Sequence, residues 1–205
     1  RDLPLHPRYN TMRIGIDIRS TLKKTNTGIG RYTLNLINTL GQIDKNNSYE
    51  LYSRKKFFDF KKHLPKLPGK NFRHIRSLSE MDVFHTSSYD LEKPERAKKL
   101  IVTIHDVIIK AYPYGHSEKT IKEVDERLKR VLGEADLLIA DSYNTKSDII
   151  KFYNVSGSKI RVIYPGTDIR LRKSPLATSE VEWQHKYILF VGTLEPRKNI
   201  QSLIK

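Results

Sequence analysis

A chain of 205 residues with 38% hydrophobic content can bury a real core, and its length suits one domain or one and a fraction. It holds no cysteine, which excludes disulfides and thiolate metal sites. It also has no run of eighteen apolar residues and no signal peptide, from which a cytoplasmic location is expected. The net charge of +15 suits an anionic partner, whether nucleic acid, an anionic membrane face or phosphorylated small molecules.

Residues 1–11, RDLPLHPRYNT, precede a methionine that opens a clean strand, and they read as a leader outside the fold. Residues 12–40 set the pattern of the fold. Ile14, Ile16 and Ile18 form an apolar run, a polar loop carries Gly28 and Gly30, and Ile29, Tyr32, Leu36, Ile37 and Leu40 recur on one helical face. Strand, glycine loop and helix N-terminus together make an anion-binding turn, because the first helical N–H groups are unpaired and glycine permits close approach. The dinucleotide fingerprint fails, since Thr33 stands where a third small residue is needed. The Walker pattern fails as well, with Arg31-Tyr32 in place of Lys-Ser or Lys-Thr. At this point two readings stand: a phosphate-binding turn of another kind, or a helix start whose glycines serve only the turn.

Residues 49–53 are a short strand. Residues 54–76 then carry nine Lys or Arg against Asp59 alone, with Phe57, Phe58, Phe60 and Phe72 interleaved. One reading is a surface that lies on an anionic bilayer. The favoured one is a strand–helix–strand segment with phenylalanines in the core and lysines in water, broken at Pro65 and Pro68. Strands come next at 82–85 and 99–104. The second, KLIVTIHD, is apolar enough to be buried on both faces of a parallel sheet and ends in His105-Asp106. Ligands of open α/β sheets bind beyond the carboxyl ends of strands, which makes His105 a candidate site residue.

Residues 117–132 are a helix capped by Ser117, with Ile121, Val124, Leu128, Val131 and Leu132 as its buried stripe. A strand at 136–140, a helix at 144–153 capped by Ser142, and a strand at 159–164 closed by Pro165-Gly166 complete the alternation. Six such alternations predict an α/β fold, a Rossmann-like doubly wound, mainly parallel sheet. Residues 170–186 are polar, contain Pro175 and read as a linker. Residues 187–191, YILFV, are expected to be a fresh buried strand, followed by a loop at 192–199 and a helix from Ile200. One strand and one turn cannot bury a core. The expected division is therefore a domain at 12–169, a linker at 170–186 and the start of a second domain at 187–205, the whole being the N-terminal piece of a larger protein.

Three stretches in order, TGIGRYTLNL, ADLLIADSYNTKSDIIKFYNVSGSKIRVIYPGTD and YILFVGTLEPRKNIQSLI, resemble the retaining, nucleotide-sugar-dependent glycosyltransferases of family 4 (group 1). The resemblance runs from about Met12 to Lys205. It implies the N-terminal half of a GT-B fold, two Rossmann-like domains facing across a cleft, with the acceptor mostly on the first. By this resemblance Gly28 and Gly30 lie near the donor diphosphate. His105 hydrogen-bonds the donor sugar and stabilises the transition state. Lys198 pairs with the diphosphate. Many members carry an arginine after the glycine of the second domain's first strand, where this chain has Thr193, and Arg197 is the candidate to compensate. His85, which also ends a strand, and Asp106 are candidates on the acceptor side.

The resemblance further implies a GDP- or UDP-linked hexose donor, mannose among the choices, and a glycan, lipid-linked or phosphorylated acceptor. Retention without a metal or other cofactor is expected, at the inner face of the membrane, and no aspartate cluster has metal-ligand spacing. The second domain holds most of the nucleotide site, so these residues alone are expected to be inactive. Two competing readings are a basic module for nucleic acid or anionic membrane on the same scaffold, and another GT-B enzyme such as an epimerase or phosphorylase. The first lacks a recognition helix or RNA-binding signature. The TLEPRKN loop argues against the second.

Overall fold

The structure, a computed structural model, describes residues 11–22, 27–54, 64–91, 97–166, 187–195 and 198–204. Residues 1–10 of the expected leader at 1–11, Phe57, Phe58 and Phe60, the whole of the expected linker at 170–186, and Arg197 lie outside the described residues. Seven strands form one sheet: β1 (Arg13–Asp17), β2 (Ser48–Tyr52), β3 (Phe72–Ile75), β4 (Met81–Thr86), β5 (Ala97–Ile104), β6 (Leu137–Ala140) and β7 (Ile160–Val162). Their order is β3-β2-β1-β4-β5-β6-β7, and all six pairings are parallel. The mainly parallel sheet expected from the sequence is wholly parallel across these strands.

Helices α1 (Gly28–Ile43), α3 (Glu118–Glu134) and α4 (Tyr143–Tyr153) make the crossovers, and a four-residue helix, α2 (Ile108–Ala111), follows β5. Parallel neighbours require such crossovers. Each long helix starts on a hydroxyl residue, Ser117 and Ser142 as the sequence predicts and Thr27 in addition. Thr27 accepts from Gly30 N, Ser117 from Thr120 N and Ser142 from Thr145 N, satisfying amides that the helix itself leaves unpaired. Helix α4 ends on Asn154 at φ 52°, the left-handed conformation that closes many helices.

The apolar face of α1 packs Ile37 and Leu40 against Ile16, Ile18, Tyr49, Leu51 and Phe72. Phe72 stacks on Tyr49 at 4.4 Å, so this aromatic of the basic segment serves the core. A second cluster covers the opposite face, where Leu128, Val131 and Leu132 of α3 and Ile149 of α4 meet Met81, Phe84, Leu100, Val102, Ile104, Leu138 and Ile160. Helices on both faces make the sheet doubly wound. Glu50 of β2 is wholly buried, yet it accepts from Arg13, Arg73 and Ser79. Burial pushes its carboxyl up, and those donors more than offset this, holding it below the usual carboxylate range.

Residues 187–191 correct the expectation of a buried strand. Tyr187, Ile188, Leu189 and Val191 are 59–86% exposed and no strand forms there. An apolar run becomes a strand only when neighbours take its N–H and C=O groups, and no described strand lies alongside. Helix α5 (Ile200–Ile204) does form. Among the described residues no helix is long and apolar enough to cross a membrane.

Candidate functional site at the strand carboxyl ends

The chain builds outward from β1 through β2 to β3 and then returns to the other side of β1 with β4. Such a reversal opens a crevice at the carboxyl ends of the strands, the position where open α/β sheets bind ligands. Asp17 ends β1 there at 3% exposure. Arg19 grips it through Nε at 2.9 Å and Nη2 at 2.7 Å, and Thr86 donates to it at 2.9 Å. Arg19 Nη2 also donates to the Asp90 carbonyl at 2.6 Å. This carboxylate is therefore paired, and its arginine is spent on structure.

The two glycines of the first loop part company. Gly30 presses its α-carbon on backbone, since an added Cβ would meet Ser20 O at 2.8 Å, and its N–H is taken by Thr27 Oγ1. Gly28 meets nothing within 4 Å among the described residues. Arg31 N bonds Thr27 O, which leaves the amides of Gly28 and Ile29 without a described partner at the positive end of α1. No acidic residue stands in that first turn. An open groove of about 550 Å³ starts at Gly28 and runs between α1, through Arg31, Tyr32 and Asn35, and the segment after β7 at Tyr164 and Pro165.

His105 leaves the sheet at the end of β5. Parallel register pairs Ile104 with Ala140, so the next residues, His105 and Asp141, emerge side by side. Nδ1 of His105 lies 2.6 Å from Asp141 Oδ2. Tyr32 of α1, one turn beyond Gly28, sets its ring edge-to-face against the imidazole at 5.0 Å and 82°. Its hydroxyl lies 3.3 Å from Thr103 Oγ1, and Thr145 Oγ1 donates to the His105 carbonyl at 3.3 Å. Burial raises the Tyr32 phenol above its ordinary value, and the charge of Asp141 adds to that against the Thr103 bond. Nε2 of His105 is buried with no hydrogen-bond partner among the described residues. The result is a histidine held on one nitrogen and, among the described residues, unpartnered on the other, packed against Tyr32 in the first turns of α1.

The other sequence candidates fall elsewhere. His85 is 9% exposed, with Nε2 2.9 Å from Thr103 Oγ1. Burial pushes it down to about 4, with Asp17 opposing and His105 adding to the shift. It stands behind the His105 cluster, sharing Thr103 with Tyr32. Asp106 is exposed and structural in its contacts: Oδ1 accepts from Ile108 N at 3.1 Å, and its carbonyl accepts from Tyr89. Lys198 is exposed, and no described contact joins it to the His105 cluster. Among the described residues no group of three or more His, Cys, Asp or Glu could hold a metal.

Sequence reasoning passed over Asp141, Tyr32 and Thr103. Asp141 was within reach, because it follows the apolar strand LLIA just as His105 follows KLIVTI.

Known proteins resemble this chain. It is 25% identical to an O-antigen chain mannosyltransferase B of Escherichia coli over 218 residues, 87% of this chain and 55% of that protein. It is 33% identical over 106 residues to the O-antigen chain mannosyltransferase RfbU of Salmonella typhimurium, 51% of this chain and 27% of that one. A solved glycosyltransferase from Rickettsia africae ESF-5 superposes with a TM-score of 0.47 at 17% identity, covering 82% of this chain and 48% of its own. The chain thus spans between about a quarter and just over half the length of these relatives. The family model for Glycosyltransferase Family 4 matches residues 27–171, well over half of the sequence. The chain belongs to Glycosyltransferase Family 4.

Proposed function

We propose that this chain is the acceptor-side part of a retaining glycosyltransferase. The reaction moves a hexose, with mannose the first choice, from a GDP- or UDP-linked donor to a polysaccharide, lipid-linked or phosphorylated acceptor. Two relatives named as O-antigen chain mannosyltransferases support that choice of sugar and of a glycan acceptor. The observation that carries the reading is His105 at the carboxyl end of β5, with a buried Nε2 that has no partner among the described residues, packed against Tyr32 of α1.

In this reading the bond from C1 of the sugar to the diphosphate breaks as the acceptor hydroxyl bonds to C1 on the same face. The leaving phosphate takes the hydroxyl proton. Negative charge grows on the diphosphate, and fixed N–H dipoles at Gly28 and Ile29 together with Lys198 would stabilise it. Arg197 is assigned to the same task. His105 hydrogen-bonds the donor sugar through Nε2. The reading asks for no metal. His85 and Asp106 rank second on the acceptor side, since one is buried against Thr103 and the other accepts from the Ile108 N–H. The net charge of +15 suits a phosphorylated or lipid-linked acceptor at an anionic inner membrane face.

The test is transfer by the whole protein from a panel of radiolabelled sugar nucleotides, beside His105→Ala. Loss of a transition-state hydrogen bond costs about a hundredfold in kcat, and a fall of that size is expected. Turnover untouched by the substitution would remove His105 from the site, and a folded protein that uses no donor would overturn the reading.

A further inference from the structure

Four buried side-chain polar atoms have no partner among the described residues, and two of them belong to one contact: His105 Nε2 and Asp141 Oδ1. We infer that Asp141 is a positioning residue, whose carboxylate holds the His105 proton on Nδ1 and so presents Nε2 to the donor sugar as an acceptor whenever the ring is neutral. The role of Nε2 rests on the function proposed above, whereas the placement of the proton does not.

An ionised carboxylate can only accept, so a hydrogen bond across the 2.6 Å from Asp141 Oδ2 to Nδ1 requires the proton on Nδ1. The distance is at the short end for a nitrogen donating to a charged acceptor. A free imidazole side chain favours the other tautomer, so without Asp141 the ring would tend to carry its proton on Nε2, and a sugar hydroxyl there would have to accept rather than donate. The rest of the setting removes alternatives. The Tyr32 ring stands against the imidazole edge-on, which blocks a free swing, and Thr145 holds the His105 carbonyl. The ring side chain is 17% exposed and that of Asp141 19%, so little water is available to take over the bond. A buried nitrogen with no partner is destabilising, and a ligand hydroxyl bound there would recover that loss. The pair forms without any insertion or special loop. It follows from the β5–β6 register, which sets the first residue beyond each strand next to the other.

The first arm of the test needs no activity. Long-range ¹H–¹⁵N spectra of the histidine-labelled 205-residue chain report which ring nitrogen carries the proton. For His105 at a pH where the ring is neutral, protonated Nδ1 and bare Nε2 are expected. In Asp141→Asn and Asp141→Ala the signal should move to a mixture or to the Nε2–H form while the other histidines stay in place. A wild-type ring protonated on Nε2, or a pattern unchanged in both variants, would overturn the inference.

The second arm is kinetic, in the whole protein. Loss of an orienting partner typically costs about 10–100-fold, and Asp141→Asn should lower kcat in that range while KM for the donor stays within about threefold. Equal kcat in a wild type that turns over donor would overturn the positioning role and leave the proposed function intact. A wild type inactive with every donor, but with Nδ1 protonated, would overturn the proposed function and leave the Asp141–His105 pair standing.

Discussion

Acidification from pH 7 to pH 5 should destabilise this fold through His85. Its ring is buried between β1 and β5 with Nε2 on Thr103, and burial holds it at about 4 against an ordinary value of 6.5. The folded value is depressed, so the unfolded chain binds the proton first. The contribution of neutral His85 is therefore fully present above about pH 6.5, declines as pH falls below it, and is gone near pH 4. The ratio of the two binding polynomials gives a loss of about 0.2 kcal/mol at pH 7, about 2 kcal/mol at pH 5 and about 3 kcal/mol below pH 4. Other groups titrate across the same range, so the measurement is a difference. Urea unfolding, followed by far-ultraviolet circular dichroism, is run at pH 7 and pH 5 on the wild type and on His85→Gln. The amide cannot titrate and can still hydrogen-bond Thr103. The wild type should lose about 2 kcal/mol more than the variant between the two pH values. Equal losses in the two proteins would refute the reasoning, because burial would then not be holding His85 neutral.

Gly30→Ala should cost about 1–3 kcal/mol, since the new Cβ meets the Ser20 carbonyl oxygen at 2.8 Å and backbone cannot move aside cheaply. Gly28→Ala, two residues away, meets nothing described within 4 Å and should change unfolding free energy by no more than about 0.5 kcal/mol in the same urea assay. Glu50→Gln should cost about 2 kcal/mol at pH 7, below the usual cost of breaking a buried pair, because the Arg13 and Arg73 side chains are 42% and 60% exposed and can be hydrated. The folded carboxyl lies below its ordinary 4.5, so its contribution is present above that pH and fades as pH falls further. The gap between wild type and Glu50→Gln should therefore narrow on acidification, and a gap that widens would contradict the assignment.

Much of the scaffold is legible in the chain because its causes are local. The stripe Leu128, Val131 and Leu132, the caps at Ser117 and Ser142, and the apolar run of β5 each follow from the periodicity of a helix or strand or from the need to pair a first-turn amide. Repetition of those units is enough to imply a doubly wound sheet, and the end of β5 is enough to single out His105. The same local logic failed at residues 187–191, where an apolar run has strand composition but no described strand lies alongside it. It was also blind at the first loop. Gly28 and Gly30 look alike in sequence, and only the packing of α1 on the turn at Ser20 separates the one that is free from the one that is pressed on backbone.

The site itself was decided by register. His105 has a carboxylate beside it in the chain, Asp106, but that side chain is engaged by the Ile108 N–H. The partner His105 uses is Asp141, 36 residues on, because β5 and β6 run parallel with Ile104 level with Ala140. The sequence alone determined most of the helices and strands between β1 and β7, and the strand end that carries His105. Only the tertiary structure decided which ends stand together, because strand pairing is chosen by the burial of both sheet faces at once rather than by any residue's neighbours along the chain.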